Sequence, residues 1–414
     1  MEPFINYRNS LVNKNRIEFS AYPNIKWLNE YQAVSAQKKR DRLTEKLKNN
    51  WLFNETKPFH KQISKGCSLC GQGTWSCVFI TGKCNAKCFY CPASQEEDCV
   101  PTSQNLHFET PESYAEYINY FKFKGVSFSG GEPLLFLDRT LQYLEQIRKD
   151  CSPEIYIWMY TNGILASEEK FRKLASAGLN EVRFDIGATH FSLEKIAFAK
   201  GIIPNITIEI PAVPEEKARL IQLLPEMIKA GVTNLNLHQL RLTKHNAPKL
   251  LKHNYTFIHA EQPVVLESEL AALEILNYAF DNNLEIGINY CSFFFKNRFQ
   301  KAGFRKQIAN ALAAPNEIIT EKGFIRNYSD SSISYNAMVI FDKDKARINA
   351  NELQLKYKNY HFKSETALKP LIPDKELKNR IDEFLIIDNN EIPKDEELFK
   401  IWQMEKIESG LREY

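Results

Sequence analysis

No window of the 414-residue sequence holds an apolar run long enough to span a bilayer, so membrane helices are excluded from the expected architecture. The opening residues MEPFINYRNS put an acid at position 2 and lack an apolar run behind a basic start. No secretory signal is expected, and the cytoplasm is the expected compartment. Long low-complexity and repeated segments are missing too. So is a strong charge excess: 54 Lys plus Arg face 51 Asp plus Glu, at a pI near 8.2. That balance disfavours a protein held on nucleic acid by charge alone. Nine cysteines, an odd number without an export signal, argue against a disulfide framework and for thiolate chemistry or metal. What is present, 43% hydrophobic and 25% charged residues, describes a globular chain with a sizeable core and two or three folding units.

Residues 1–65 are expected to form an N-terminal helical extension around the charged segment YQAVSAQKKRDRLTEKLKNN, which carries no visible chemistry. Between residues 66 and 307, β-rich runs (CVFIT, VSFS, IYIWMY, EVRFDI, ITIEI, TNLNLH, LEIGINY) alternate with helix-patterned ones such as LDRTLQYLEQIRK. This is the rhythm of a parallel α/β sheet, open or closed into part of a barrel. Several strands alternate apolar and polar positions. Val182, Phe184 and Ile186 oppose Arg183 and Asp185; Ile206, Ile208 and Ile210 oppose Thr207 and Glu209; Asn234, Asn236 and His238 form a third polar face, and Glu285, Asn289 and Cys291 a fourth. Helical crossovers favour parallel strands, which places the polar faces in a lumen. The expectation is an incomplete (β/α)6–7 TIM-like barrel with room for a cofactor and a substrate. Residues 308–414, where cysteine is absent and FDKDK suggests a turn between strands, are expected to form a small C-terminal α+β domain.

The stretch GKCNAKCFYCP places Cys84, Cys88 and Cys91 close together. On a helix the first and last would stand about 10 Å apart along the axis. Gly82, Asn85 and Pro92 suit a loop better, and a loop can wrap three thiolates round one metal centre. Zinc remains a possible occupant, but no Asp or His stands at finger-like spacing beside the triplet. Three ligands leave a fourth position open, as in sites that do chemistry.

The spacing CNAKCFYC, with Tyr90 as the aromatic before the last cysteine, resembles the signature of the radical S-adenosylmethionine (radical SAM) superfamily. The resemblance implies a [4Fe–4S] cluster on Cys84, Cys88 and Cys91, whose fourth iron is chelated by the amino and carboxylate groups of S-adenosylmethionine. A second motif, VSFSGGEP, puts Gly130, Gly131 and Glu132 at a strand end, where glycines permit close backbone approach and a carboxylate can accept from an ammonium. In the resembled family this segment binds the methionyl ammonium. Thr161 and Asn162 in YTNG resemble the residues that meet the ribose. The run from GCSLCGQG to INYCSFFFKNRFQ is similar to a little-characterised group related to pyruvate formate-lyase activating enzymes, over about residues 66–307.

Cys67, Cys70 and Cys291 are candidates for a second [4Fe–4S] cluster, its fourth ligand open, supplied by substrate, or supplied by Cys77 if the first strand starts later, with zinc, or no metal, as the alternatives. Cys77 begins the first strand, about 23 Å from Cys84 along a straight run, and is expected at the other end of the barrel. Cys99 and Cys151 receive no role. His238, His245, His253 and His259, at spacings of 7, 8 and 6, fit no helical metal pair and suggest a loop or lid at the barrel mouth. FFFKNRFQKAGFRK reads more readily as an amphipathic helix than as a phosphate or nucleic-acid binder.

The resemblance implies one-electron cleavage of S-adenosylmethionine to a 5′-deoxyadenosyl radical that takes hydrogen from a peptide, protein or small-metabolite substrate, with an electron donor such as flavodoxin or ferredoxin as partner. Arg183, Asp185 and Glu209 are the inward candidates for touching cofactor or substrate, or else an internal salt-bridge set. Two other readings stand beside this one: an activase that installs a glycyl radical on a partner enzyme, and a non-catalytic zinc or iron–sulfur module.

Overall fold

The structure, a computed structural model, describes residues 2–312 apart from residue 105, and four short strands at 317–319, 325–329, 332–336 and 347–348. The strands of the main body are β1 (Trp51–Leu52), β2 (Lys57–His60), β3 (Trp75–Thr81), β4 (Thr102–Ser103), β5 (Leu106–Phe108), β6 (Gly125–Gly130), β7 (Tyr156–Thr161), β8 (Glu181–Phe184), β9 (Asn205–Pro211), β10 (Asn234–His238), β11 (Phe257–Ile258), β12 (Val264–Val265) and β13 (Gly287–Cys291). In the sheet, β13, β10, β9, β8, β7, β6 and β3 are consecutive neighbours and every pair is parallel. These are the seven strands of an incomplete (β/α) barrel. The sheet continues past both ends instead of closing: β2 adds antiparallel to β13, and β4 antiparallel to β3.

The helices that return the chain carry one apolar face each. In Leu137–Asp150 the buried residues are Thr140, Tyr143, Leu144 and Ile147, the spacing of a single stripe. Thr110 caps the preceding helix, Pro111–Tyr120, by accepting from Ser113 N, with Pro111 in the first turn where its missing N–H is harmless. Between β8 and β9 the return is made by 3₁₀ turns, Ile186–Thr189 and Glu194–Phe198. Beneath these returns lies the core. Val78, Ile80, Val126, Phe128, Ile157, Met159, Val182, Ile206, Ile208, Leu235, Leu237 and Ile288 form its strand side, all with essentially no exposure. The alternate positions face inward and are polar, as the two-residue period of a strand requires. Register puts Arg183 beside Thr207, Asn236 beside Glu209 and Asn289, and His238 beside Cys291.

Two readings of the strands are corrected. Glu285 lies before β13, and its exposed carboxylate pairs with Lys61 at 2.9 Å, so it does not share the lumen face with Asn289 and Cys291. Asp185 lies just past the end of β8, where it caps the following turn by accepting from Gly187 N. Residues 1–65 are woven into the barrel. β2 joins its sheet, and the helix Glu30–Glu45 is tied to the helix Leu266–Asp281 by Arg40–Glu269 at 3.0 Å and Lys39–Glu274 at 2.6 Å.

The helix Lys65–Gln72 packs on β3, β6 and β7 and against a π-helical segment, Lys296–Lys301, that continues into the helix Ala302–Leu312. Gly73 and Gly303 make this packing possible: a Cβ on Gly73, which also has φ +72°, would stand 2.0 Å from the Gly303 backbone carbon. Beyond residue 312, Glu317–Ile319, Ile325–Ser329 and Ser332–Asn336 form an antiparallel sheet, and Arg347–Ile348 lies parallel to β5. The rest of the expected C-terminal domain, the FDKDK turn included, lies outside the described residues.

Candidate active site

One cavity of about 570 Å³ occupies the lumen and its mouth. Its walls include Cys84, Cys88 and Cys91 on one side and Cys67, Cys70 and Cys291 on another.

The segment after β3 is a loop without helix or strand up to residue 101. It is held in place by its neighbours' strand ends. Gly131 N donates to Thr81 O at 2.8 Å and Glu132 N to Lys83 O at 2.9 Å. Only glycine allows this approach: a Cβ at Gly131 would stand 1.9 Å from Lys83 O. Asn162 donates through Nδ2 to Asn85 Oδ1 at 2.7 Å and lies 3.5 Å from the Cys84 sulfur. Tyr90 crosses to the end of β8 and donates to Asp185 Oδ1 at 2.7 Å. Behind the loop, Arg139 forks onto Asp98 with two contacts of 2.9 Å, and these hydrogen bonds hold that carboxyl down at about 2.

Glu132 stands elsewhere than expected. Its side chain is fully buried behind the cavity wall and accepts from Thr161 Oγ1 at 2.8 Å, Asn162 N at 2.7 Å and Leu134 N at 3.0 Å. It braces the ends of β6 and β7, leaving the backbone of Gly130 and Gly131 to face the cavity with Thr161 and Asn162. Burial raises its pKa, opposed by those three donors.

Deeper in the lumen the polar faces join into one network. Arg183, 2% exposed, donates to Glu181 Oε1 at 2.9 Å, Glu209 Oε2 at 2.6 Å and Ser64 Oγ at 2.9 Å. Glu209 also meets Asn236 Nδ2 at 2.9 Å and His238 Nε2 at 2.6 Å, and Lys296 Nζ lies 3.1 Å from His238 Nδ1. Burial alone would raise Glu209, but Arg183 and His238 outweigh it and hold the carboxylate below its ordinary range. Burial, with Lys296 nearby, lowers His238. Asp185 accepts from Tyr90 Oη and Gly187 N, neither of them a cation, and burial pushes it up to about 6.

Of the four histidines only His238 lines the cavity. His253 pairs with Glu215 at 2.9 Å and His259 stacks on Trp27. Cys77 faces the same cavity, against the expectation that it lies apart; its contacts are the Ser127 and Ser129 hydroxyls, and burial pushes the thiol up to about 11. Cys99 is exposed and Cys151 is buried under the helix Pro111–Tyr120, where it donates to Ala115 O. Lys57, Lys296 and Gln300 were not anticipated. Lys57 gave no signal, being one charge in a short strand; Lys296 and Gln300 belong to the FFFKNRFQ run, whose charges were expected to face solvent.

Residues 78–235 match the Radical SAM superfamily. From β3 into β10 the barrel is similar to a radical SAM domain. Among curated proteins, the chain is 28% identical to "Putative glycyl-radical enzyme activating enzyme MJ0021" of Methanocaldococcus jannaschii, over 64% of this chain and 72% of that one. It is 31% identical to "Probable GTP 3',8-cyclase" of the same organism over 39% of this chain, and it spans about half (51%) of that relative's length. Among solved structures, Streptococcus suis SuiB bound to S-adenosylmethionine aligns with a TM-score of 0.45 at 12% identity, over 87% of this chain and 77% of that one. That match supports an enzyme of the radical SAM kind, whose members work with a [4Fe–4S] cluster and S-adenosylmethionine. The donor set fits them: three thiols from one loop open onto the cavity beside the Gly130–Gly131 backbone. Among the described residues no three Cys, His, Asp or Glu side chains are drawn together closely enough for a single ion, and a cubane, being larger, asks for a wider spread of its ligands. No helix among the described residues is long and apolar enough to cross a membrane.

Proposed function

We propose that this enzyme holds its cluster on Cys84, Cys88 and Cys91, cleaves S-adenosylmethionine reductively and takes a hydrogen atom from a peptide or small-molecule substrate bound in the lumen. The observation that carries the reading is the loop of three thiols opening onto one cavity with the Gly130–Gly131 backbone, Thr161 and Asn162. When bound, the cluster and S-adenosylmethionine supply the electron transfer and the 5′-deoxyadenosyl radical. The chain supplies position. Asn162 and Tyr90 fix the loop from β7 and β8, and Glu132 fixes the two strand ends from behind. Glycine backbone at residues 130 and 131 offers carbonyls to the cofactor's ammonium without side chains in the way. Asp185, Glu209, His238 and Lys296 line the lumen as groups that orient a polar substrate. The walls enclose the reacting atoms, which limits the side reactions a radical would undergo in water.

A reductant of the flavodoxin or ferredoxin class is the partner this chemistry needs. A second reading, an activase acting on a glycyl-radical partner, is favoured by the name of the Methanocaldococcus relative. The test is anaerobic reconstitution with iron and sulfide, then dithionite and S-adenosylmethionine. Equal amounts of 5′-deoxyadenosine and methionine are expected; S-adenosylmethionine left intact would overturn the reading. A glycyl-radical spectrum on an added partner enzyme would select the activase.

A further inference from the structure

The cavity holds a second set of thiols that the cluster loop does not use. Cys67 and Cys70 sit three residues apart on one face of the helix Lys65–Gln72, and Cys291 ends β13. Cys67 and Cys291 are buried, at 4% and 6% exposure, and Cys70 is partly buried. All three line the lumen.

Nitrogen donors surround their sulfurs. Asn236 Nδ2 stands 3.1 Å from Cys67 Sγ, Arg183 Nη1 3.8 Å and Asn289 Nδ2 4.0 Å; Gln300 Nε2 stands 2.7 Å from Cys70 Sγ. Lys57 Nζ donates to Cys291 Sγ, which in turn donates to Asn289 Oδ1 at 3.6 Å. The Cys67 and Cys70 sulfurs accept from these groups, Cys291 both accepts and donates, and Cys151 donates to a carbonyl as a thiol does. Burial raises the Cys67 and Cys70 thiols, so thiolates there call for positive charge or a metal beside them.

Lys57 sharpens the point. It is 1% exposed, its ammonium lies 4.4 Å from the centre of the Phe295 ring, and among the described residues its side chain donates to the Cys291 sulfur. A buried ammonium requires negative charge near it. Three thiolates would provide that charge but would repel one another unless a multivalent metal centre joined them. The segment Lys296–Lys301, which supplies Gln300, is π-helical, a departure from regular helix that is frequent at functional sites.

We infer that Cys67, Cys70 and Cys291 hold a second [4Fe–4S] cluster in the lumen, with Lys57 as its counter-charge. Cubane rather than a single ion follows from size and number. Among the described residues neither set of sulfurs is gathered round a single-ion position, and a structural zinc site asks for four ligands. The nearest histidine, His238, is engaged by Glu209 and Lys296. A cubane held by three thiolates carries net negative charge, which the adjacent ammonium balances.

The inference stands independently of whether S-adenosylmethionine is cleaved. The experiment counts iron, sulfide and zinc in the full chain after anaerobic reconstitution and gel filtration. About eight irons and eight sulfides are expected, against about four of each for a single cluster. The variant Cys84→Ala/Cys88→Ala/Cys91→Ala should keep about four irons, a broad visible absorption and a paramagnetic signal on reduction. Adding Cys67→Ser and Cys291→Ala should remove them. On the triple background, Lys57→Met should shift the midpoint potential of the retained cluster to more negative values, because removing a cation disfavours the added electron. Four irons in the wild-type chain, stoichiometric zinc at this site, or iron retained after loss of Cys67 and Cys291 would each overturn the inference. The wild-type count decides the matter if the triple variant does not fold.

Discussion

Cys84, Cys88 and Cys91 come from one loop, whereas Cys67, Cys70 and Cys291 come from a helix before the first barrel strand and the end of the last one. Both sets face the same cavity. They depend on different things. The loop set needs its own backbone path and a few braces from neighbouring strand ends. The assembled set needs the barrel to be correctly built, since β2, β13, the helix Lys65–Gln72 and the π-helical segment must all meet. A defect in the loop should leave the assembled set in place, and a defect in the lumen network should reach the assembled set first.

The largest effect is expected from Gly131→Ala. The new methyl would meet Lys83 O at 1.9 Å, so the loop backbone must move. A misplacement on the order of 1 Å costs about 100-fold in rate, and cleavage of S-adenosylmethionine should fall by at least that while the iron of the assembled set persists. Equal loss of both would break the distinction. Arg183→Met comes next. Removing one partner of a buried ion pair leaves Glu181 and Glu209 uncompensated, and a loss of about 3–5 kcal/mol is expected in urea unfolding. A loss below about 1 kcal/mol would show that the network contributes little.

Asp185→Asn should act through pH. The folded-state value of about 6 lies above the ordinary 3.8, so the protonated form favours folding; that contribution is complete below about 3.8 and is lost as pH rises to about 6. Asparagine can keep both contacts at Oδ1 without the charge. The variant should therefore match wild type near pH 3.5 and exceed it by up to about 3 kcal/mol near pH 8. Equal stability at both pH values would count against a half-buried carboxylate without a cation partner. Tyr90→Phe, which removes one hydrogen bond, should cost only about 1 kcal/mol, measured by the same unfolding curves.

The contrast between the two sets also explains what the sequence disclosed. CNAKCFYC is local, so its spacing and Gly82, Asn85 and Pro92 are enough to read a loop that gathers three thiolates. The polar lumen was legible because strand alternation depends only on neighbours along the chain, as Thr207, Glu209, Asn234 and Asn236 show. Glu285 was misplaced because alternation says nothing about where β13 begins. The GGE segment disclosed its close backbone approach but not the direction of the Glu132 side chain, which depends on Thr161 and Asn162 from the next strand. Lys57 was invisible for the same reason in stronger form: KPFH says nothing of a partner on β13, far along the chain.

The central claim is that the cluster loop is where S-adenosylmethionine is cleaved. The most direct measurement is 5′-deoxyadenosine formed per enzyme by reconstituted wild type and by Cys84→Ala/Cys88→Ala/Cys91→Ala, under dithionite and with S-adenosylmethionine in excess. The account predicts steady formation by the wild-type chain and none by a variant that still elutes as a folded protein. Undiminished formation by that variant would contradict it.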